Sequence, residues 1–391
     1  MNTRILTLAT LSLTACLGPW PGTDDTTEVI TPDDAVLGFV YSSAQNDGGW
    51  AQTHHEAATA TAETFDIPLE FRPAVQSADV TAAIESLIND DGATIVYTTS
   101  SGYIGATLQA AIDYPDVDFF SCCGKAESAN LQSYFGRMYQ PIYLAGYIAG
   151  AQSCTEQLGV VAALPLPQFI RHINAFTLGA QAANPNIKVD VRYVGAFFNP
   201  QVEGDLAEEL MDNGADVILA QSNSTEPLLR RVGETIDCDG EDTPIWRVGY
   251  HSPDACDANP TQCLTSAHWR WESLYESQVQ SVFDGALDPT DNEWHSLEDS
   301  NQSVVDLAPV NASVSAQIRG DQAALRQDLV ANPQLPFVGP LDDNTGARQI
   351  NAGQVLSDEE LDRMCYFVEG VIDTSIGEDA AAVVPSSCNP I

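Results

Sequence analysis

Short apolar runs alternate with amphipathic stretches along most of this chain, and that alternation constrains the fold more than any other feature. Runs at 35–41 (AVLGFVY), 67–71, 94–98 and 117–122 read as buried strands, because apolar segments of this length fit a sheet covered on both faces. Between them, 50–65, 80–90 and 104–112 carry helical spacing. A second series follows, with strands at 158–163, 188–194, 217–220 and 245–249 and helices at 169–183, 200–212 and 225–235. Strand–helix–strand repeats build parallel sheets with right-handed crossovers. The expected architecture is α/β, with two doubly wound, Rossmann-like parallel-sheet domains joined by a hinge. The join is expected near 150–154. A helix at 269–283 then returns to the first domain, so that 35–152 plus about 267–305 forms one lobe and 153–266 plus about 306–391 the other. A last helix is expected over 358–370, opened by Ser357 with Glu360 three residues on, the pattern of a capping box.

Charge narrows the partners. The 391 residues hold 15 Lys and Arg against 55 Asp and Glu, a formal net charge of −40. Nucleic acid and anionic lipid are bound through clustered cations, so neither a nucleic acid nor a lipid surface docked through a basic patch is expected. The acidity reads chiefly as a solvated, self-repelling surface, with adaptation to a salty medium as the rarer reason.

The first sixteen residues, MNTRILTLATLSLTAC, place one arginine before an apolar run too short to span a bilayer. They end in Leu13-Thr14-Ala15-Cys16, which resembles the lipobox of bacterial lipoproteins. Residues 1–16 are thus expected to be a lipoprotein signal with Cys16 as the lipidated residue, and 17–34 an acidic tether. Export to a bacterial membrane, periplasmic or on the outer face of the cell membrane, is the expected address. Eight further cysteines suit disulfides in an exported chain. Local closure favours Cys256–Cys263 and Cys365–Cys388, and the adjacent Cys122 and Cys123 read as a structural pair rather than a redox site. No zinc spacing occurs.

Open α/β sheets bind ligands beyond the carboxyl ends of their strands. The residues expected there include Asp47, Trp50 and His54, then Ser100, Ser101 and Cys123. In the second half they are Phe197, Phe198 and Asn199, then Asn223, then Tyr250, His251 and Asp254. This set is aromatic and hydrogen-bonding with few cations. It suits a planar, polar, mostly uncharged ligand gripped between rings, each stacked base contributing ~1–3 kcal/mol. One of Phe197 and Phe198 should face the crevice, since neighbours on a strand point to opposite sides. His172 and His268 read as ordinary satisfied histidines. The patterns H-E-x-x-H, G-x-S-x-G, G-x-G-x-x-G and the P-loop are missing, so no catalytic residue, metal or cofactor is expected.

The segments NDGGWAQTHHEA (46–57), NLQSYFGRMYQPIYLAGYIAG (130–150), EELMDNGADVILAQSNST (208–225) and LPFVGPLDDNTG (335–346) carry a family resemblance. Over about residues 35–377 the chain resembles the basic membrane protein family of ABC-transporter solute-binding lipoproteins. These are nucleoside-receptor relatives of the type I periplasmic binding proteins, and the likeness is to a subgroup associated with purine bases. The resemblance implies that Asp47, Trp50 and His54 enter the pocket and that Phe197 or Phe198 closes its other side. Asn199 and Asn223 stand where relatives often carry aspartate, Asp254 lies near the family's pocket aspartate, and Trp271 matches a subgroup tryptophan. Nucleoside-binding members often have a lysine near Trp269; its lack here shifts the expectation from a ribose contact to a free base. The implied function is a monomeric receptor held to the membrane by an N-terminal lipid. It traps a purine-like small molecule by hinge closure and delivers it to an ABC permease. The alternatives are a ligand-sensing module for a membrane signalling protein, a nucleoside hydrolase, and a binder of riboflavin or a sugar.

Overall fold

The computed structural model describes residues 29–126, 128–291, 294–298 and 302–375. Cys16, the signal segment, most of the tether and Cys388 lie outside the described residues.

Chain order gives β1 (Leu37–Val40), α1 (Trp50–Phe65), β2 (Leu69–Arg72), α2 (Val80–Asn89), β3 (Ile95–Thr98), α3 (Ile104–Asp113), β4 (Asp118–Cys122) and β5 (Leu131–Gly136). Next come α4 (Tyr139–Gln152), β6 (Gln157–Ala162), α5 (Pro167–Ala183), β7 (Lys188–Tyr193), α6 (Pro200–Asp212) and β8 (Val217–Gln221). Then follow a one-turn helix α7 (Glu226–Leu229), β9 (Trp246–His251), β10 (Cys263–Trp269), α8 (Glu272–Phe283), β11 (Trp294–His295) and β12 (Val305–Leu307). The series ends with α9 (Ala316–Ala331), α10 (Asp358–Asp362) and β13 (Val371–Ser375). Two main sheets result. The first runs β11-β5-β4-β3-β1-β2 and is parallel throughout. The second runs β12-β10-β9-β8-β6-β7-β13, with only β12 antiparallel to its neighbour. This is the doubly wound, two-lobed α/β fold.

The alternation of the sequence is realised closely where both faces of a strand are covered. In β1 and β3 every residue is buried, and Leu37 lies opposite Leu69 and Ile95. α1 opens at Trp50 and closes at Asp66 in the left-handed conformation.

Three departures have local causes. The stretch 225–235 is helical only over α7. Arg231 and Gly233 take positive φ there, and Thr235–Cys238 pairs with Glu241–Pro244 as a hairpin. The capping box at Ser357 and Glu360 forms, but α10 ends at Asp362. Beyond it, the buried Asn174 side chain donates to the Tyr366 carbonyl at 2.8 Å and accepts from the Val368 N–H at 3.0 Å. That captures the backbone in an extended form. The expected helix at 269–283 begins only at Glu272, because Cys263–Trp269 is a buried strand.

The chain first leaves the first sheet between β5 and α4, ahead of the expected join at 150–154. Helix α4 is buried on nearly every face and packs against α5 and the second sheet. It returns between β10 and α8, where α8 packs on α1, and leaves again between β11 and β12. The α4–α5 contact is backbone on backbone. A Cβ on Gly146 would stand 2.2 Å from the Phe176 carbonyl oxygen, and one on Gly179 2.0 Å from that of Tyr143. Alanine usually gains up to ~1 kcal/mol over glycine in a helix. Here Gly179→Ala is expected to cost ~1–3 kcal/mol by forcing the helices apart, read as a lower urea midpoint with unchanged circular dichroism.

Candidate ligand-binding site

The two sheets present their carboxyl ends to one cleft. From the first lobe it is lined by Ser42 after β1, Trp50 at the start of α1, Thr99, Ser100 and Ser101 after β3, Cys123 after β4, and Phe135 in β5. From the second come Gln168, Phe169 and His172 on α5, Phe197 after β7, Asn223 after β8, Tyr250 and His251 in β9, and Trp269 at the end of β10. Among these described lining residues, six are Phe, Tyr or Trp and none is Asp, Glu, Lys or Arg.

Trp50 is set by the loop that precedes it. Asp47 accepts from the backbone N–H groups of Gly49 at 2.9 Å, Ala51 at 3.1 Å and Gln52 at 3.1 Å, and from the Ser43 hydroxyl at 2.5 Å. These are the unpaired donors of a helix start. The indole N–H of Trp50 donates to the Thr99 carbonyl at 2.8 Å. Its ring stands edge-on to that of Trp269, 5.4 Å between centroids at 80°.

Across the cleft runs a neutral relay. Trp269 Nε1–H donates to His251 Nδ1 at 3.0 Å, which leaves the proton on Nε2, facing Asn223 Oδ1 at 3.0 Å. Asn223 keeps its Nδ2 as a donor. Burial pushes the His251 pKa down to about 3, so the ring is neutral at physiological pH. Tyr250 approaches His172 Nδ1 at 3.4 Å, and His172 Nε2 is buried without a hydrogen-bond partner among the described residues. Burial also lowers the His172 pKa, helped by the nearby Arg171 charge.

Such a wall can stack planar rings and exchange hydrogen bonds with them. It cannot neutralise an anion. Among the described residues, the one constellation with metal-ligand atoms close together is Cys154, Asp216 and Cys238, away from the cleft. There the structure joins the two cysteines to each other, and the Asp216 carboxylate accepts from Ser153 Oγ and the N–H groups of Cys154 and Thr155.

A family model described as "ABC transporter substrate-binding protein PnrA-like" matches residues 35–327. The chain belongs to this family. A Haloferax volcanii protein named as an ABC transporter glucose-binding protein, TsgA13, is 31% identical over 85% of this chain and 79% of its own length. A purine-binding protein of Brucella abortus is 28% identical over 86% of this chain and 93% of its own. The crystal structure of a transcriptional activator of the comK gene from Bacillus halodurans superposes with a TM-score of 0.64 at 21% identity, covering 77% of this chain and 99% of that one. A solute-binding protein of an ABC transporter system from Aeropyrum pernix does so with 0.64 at 14% identity, covering 84% and 97%. The last two show the fold, that of the type I periplasmic binding proteins. No helix among the described residues is long and apolar enough to cross a membrane.

Of the residues the sequence points to, Trp50, Ser100, Ser101, Cys123, Phe197, Asn223, Tyr250 and His251 line the cleft of this substrate-binding fold. The others stand elsewhere. Asp47 caps α1, as above. Asn199 caps α6, accepting from the Val202 N–H at 3.5 Å. Phe198 is exposed outside the lining, and Asp254 is exposed on the turn after β9. His54 is fully buried behind Trp50, with Nδ1 on the Tyr275 hydroxyl and its ring stacked 4.7 Å from Trp271. Trp271 in turn stacks 4.6 Å from Trp269 at 11°, one ring removed from the cleft. Lining residues beyond the expected set are Ser42, Thr99, Phe135, Gln168, Phe169 and Trp269, and His172 is part of the wall rather than an ordinary histidine. The helix start after β6 was the available signal for the α5 group; Trp269 had none without the strand that carries it.

Gly49 meets the opposite lobe directly, since a Cβ there would stand 2.7 Å from the Asn223 carbonyl oxygen. Gly49→Ala is expected to keep the lobes apart. Small-angle scattering should give a larger radius of gyration than wild type under any condition that closes the wild type; equal radii would show that this contact does not limit closure. The buried histidines set a pH dependence. His54, His172 and His251 are bases whose folded pKa lies below the usual 6.5. The unfolded chain therefore binds more protons below that value, and stability falls as pH drops from 6.5 toward about 3. The thermal midpoint should decline between about pH 7 and 5.5, before ordinary carboxylates titrate; a flat midpoint would contradict neutral buried rings.

Proposed function

We propose that this protein is an exported, lipid-anchored receptor that closes on an uncharged purine base and presents it to an ABC importer. The observation that carries the reading is the composition of the cleft wall: six aromatic rings, amide, hydroxyl and imidazole groups, and no charged side chain among the described lining residues. In a chain of net charge −40, such a wall favours a neutral, flat ligand with both donors and acceptors. Asn223 Nδ2 supplies a donor and His172 Nε2 an unpaired buried ring nitrogen, which is the kind of pair that a heterocycle edge satisfies. The purine-binding relative from Brucella supports the same reading. The ligand is bound and released unchanged, the receptor acts as a monomer, and its cysteines persist as disulfides outside the cytoplasm.

A sugar is the second reading, favoured by the name of the Haloferax relative. Thermal-shift measurements on the purified protein with hypoxanthine, adenine, inosine, riboflavin and glucose separate the two. A ligand at 100 times its Kd stabilises by ~2.7 kcal/mol. A shift with the bases that Trp50→Ala abolishes is the expected outcome; a shift with glucose alone would replace the purine reading with the sugar one.

A further inference from the structure

We propose that the disulfide between the adjacent residues Cys122 and Cys123 is a ligand-contacting plate of the cleft wall. This rests on the purine-receptor reading and adds a contact that the aromatic set does not contain. Cys122 is the buried last residue of β4, at the carboxyl end of the sheet. Cys123 follows with φ 74°, the left-handed region, and lines the cleft. The structure joins their sulfurs to each other. The Cys123 N–H donates to the Tyr134 carbonyl at 3.1 Å, so the pair is tied to the neighbouring strand β5.

Joining neighbouring cysteines closes a small ring that includes the peptide between them. Neither side chain can then change rotamer alone. Where most wall positions carry a side chain with torsional freedom, this one presents the uncharged Cys123 sulfur, held in place from behind by the buried Cys122. Polarizable sulfur makes favourable contact with aromatic rings, so the plate suits the flat ligand for which the rest of the wall is built. The ring also holds Cys123 in a backbone conformation that a non-glycine residue otherwise adopts rarely. Opening it releases both the sulfurs and that turn, and so removes the surface as a unit.

The test uses the wild-type protein with hypoxanthine and adenine as probes. Dithiothreitol opens the bridge by thiol–disulfide exchange: two electrons and two protons pass to Cys122 and Cys123, and the reagent closes to its own cyclic disulfide. Iodoacetamide trapping and peptide mass spectrometry then follow each bridge. A saturating probe is expected to slow opening of Cys122–Cys123 at least tenfold and to leave Cys256–Cys263 unchanged. The double variant Cys122→Ser, Cys123→Ser should bind the probe at least tenfold more weakly by calorimetry. Equal opening rates with and without bound probe, or equal slowing at both bridges, would overturn the contact while leaving the receptor reading intact. Binding of neither base to wild type would end both. The protection experiment does not depend on the variant folding.

Discussion

The indole N–H of Trp269 determines the chemistry of the cleft floor. By donating to His251 Nδ1 it leaves the His251 proton on Nε2 and so makes Asn223 Oδ1 the acceptor. Three buried polar groups are thereby paired in series without a charge. A donor left unpaired in such a place costs ~1–3 kcal/mol, so each group depends on the next. The relay also explains why His251 can hold a left-handed φ of 70°: hydrogen bonds on both ring nitrogens fix the side chain while the backbone turns away from the strand. Asn223 also lines the cleft and sets its backbone carbonyl against Gly49 of the other lobe. One residue thus serves both the relay and the contact between the lobes.

The scarce cations are spent elsewhere. Arg171 is fully buried, donates to the Leu361 carbonyl at 2.5 Å and lies 4.4 Å from the Trp294 ring centroid. Burial lowers its pKa to about 10, which still leaves it charged at neutral pH. Arg137 grips Asp358 through two bonds, at 2.6 and 2.8 Å, and the Trp294 carbonyl at 3.1 Å. Arg247 gives its donors to backbone carbonyls, including those of Ile245 at 2.8 Å and Arg230 at 2.7 Å. Two of these three arginines clamp the short edge strand β11, where the chain passes between the sheets. A phosphorylated ligand entering the cleft would meet the repulsion of an acidic surface and find no counter-charge in the wall. The charge balance thus acts as a filter on ligands as well as on partners.

How much of this was legible depends on whether a signal was local. The strand and helix alternation is local, and Trp50–Phe65 reads directly from the sequence. β10 does not. Its residues CLTSAHW include buried polar groups that are satisfied only by distant segments, as Thr265 Oγ1 is by the Ala308 carbonyl at 2.7 Å and Ser266 Oγ by that of Ser252 at 2.7 Å. Without that strand, Trp269 appeared to start a helix. Its place in the wall was hidden for the same reason. Polar residues at strand ends misled in the opposite direction. Asp47 and Asn199 sit beside the cleft by sequence, yet their side-chain oxygens turn to the open N–H groups of the helices they precede. Two roles compete for such a residue, and the helix start is the nearer partner.

The aromatic column behind the wall ties the two lobes together. His54, Trp271 and Trp269 lie nearly parallel, 4.7 and 4.6 Å apart in succession. His54 belongs to the first lobe and Trp269 to the second, so the column spans the passage at 269–272. The passage at 136–139 is tied down as well, since Arg137 contacts both Trp294 and Asp358. Separating stacked, fully buried rings exposes apolar area at roughly 25 cal/mol per Å², whereas separating the Gly49–Asn223 edge exposes backbone that water can solvate. The column is therefore the firmer of the two contacts between the lobes, and the Gly49–Asn223 edge the weaker.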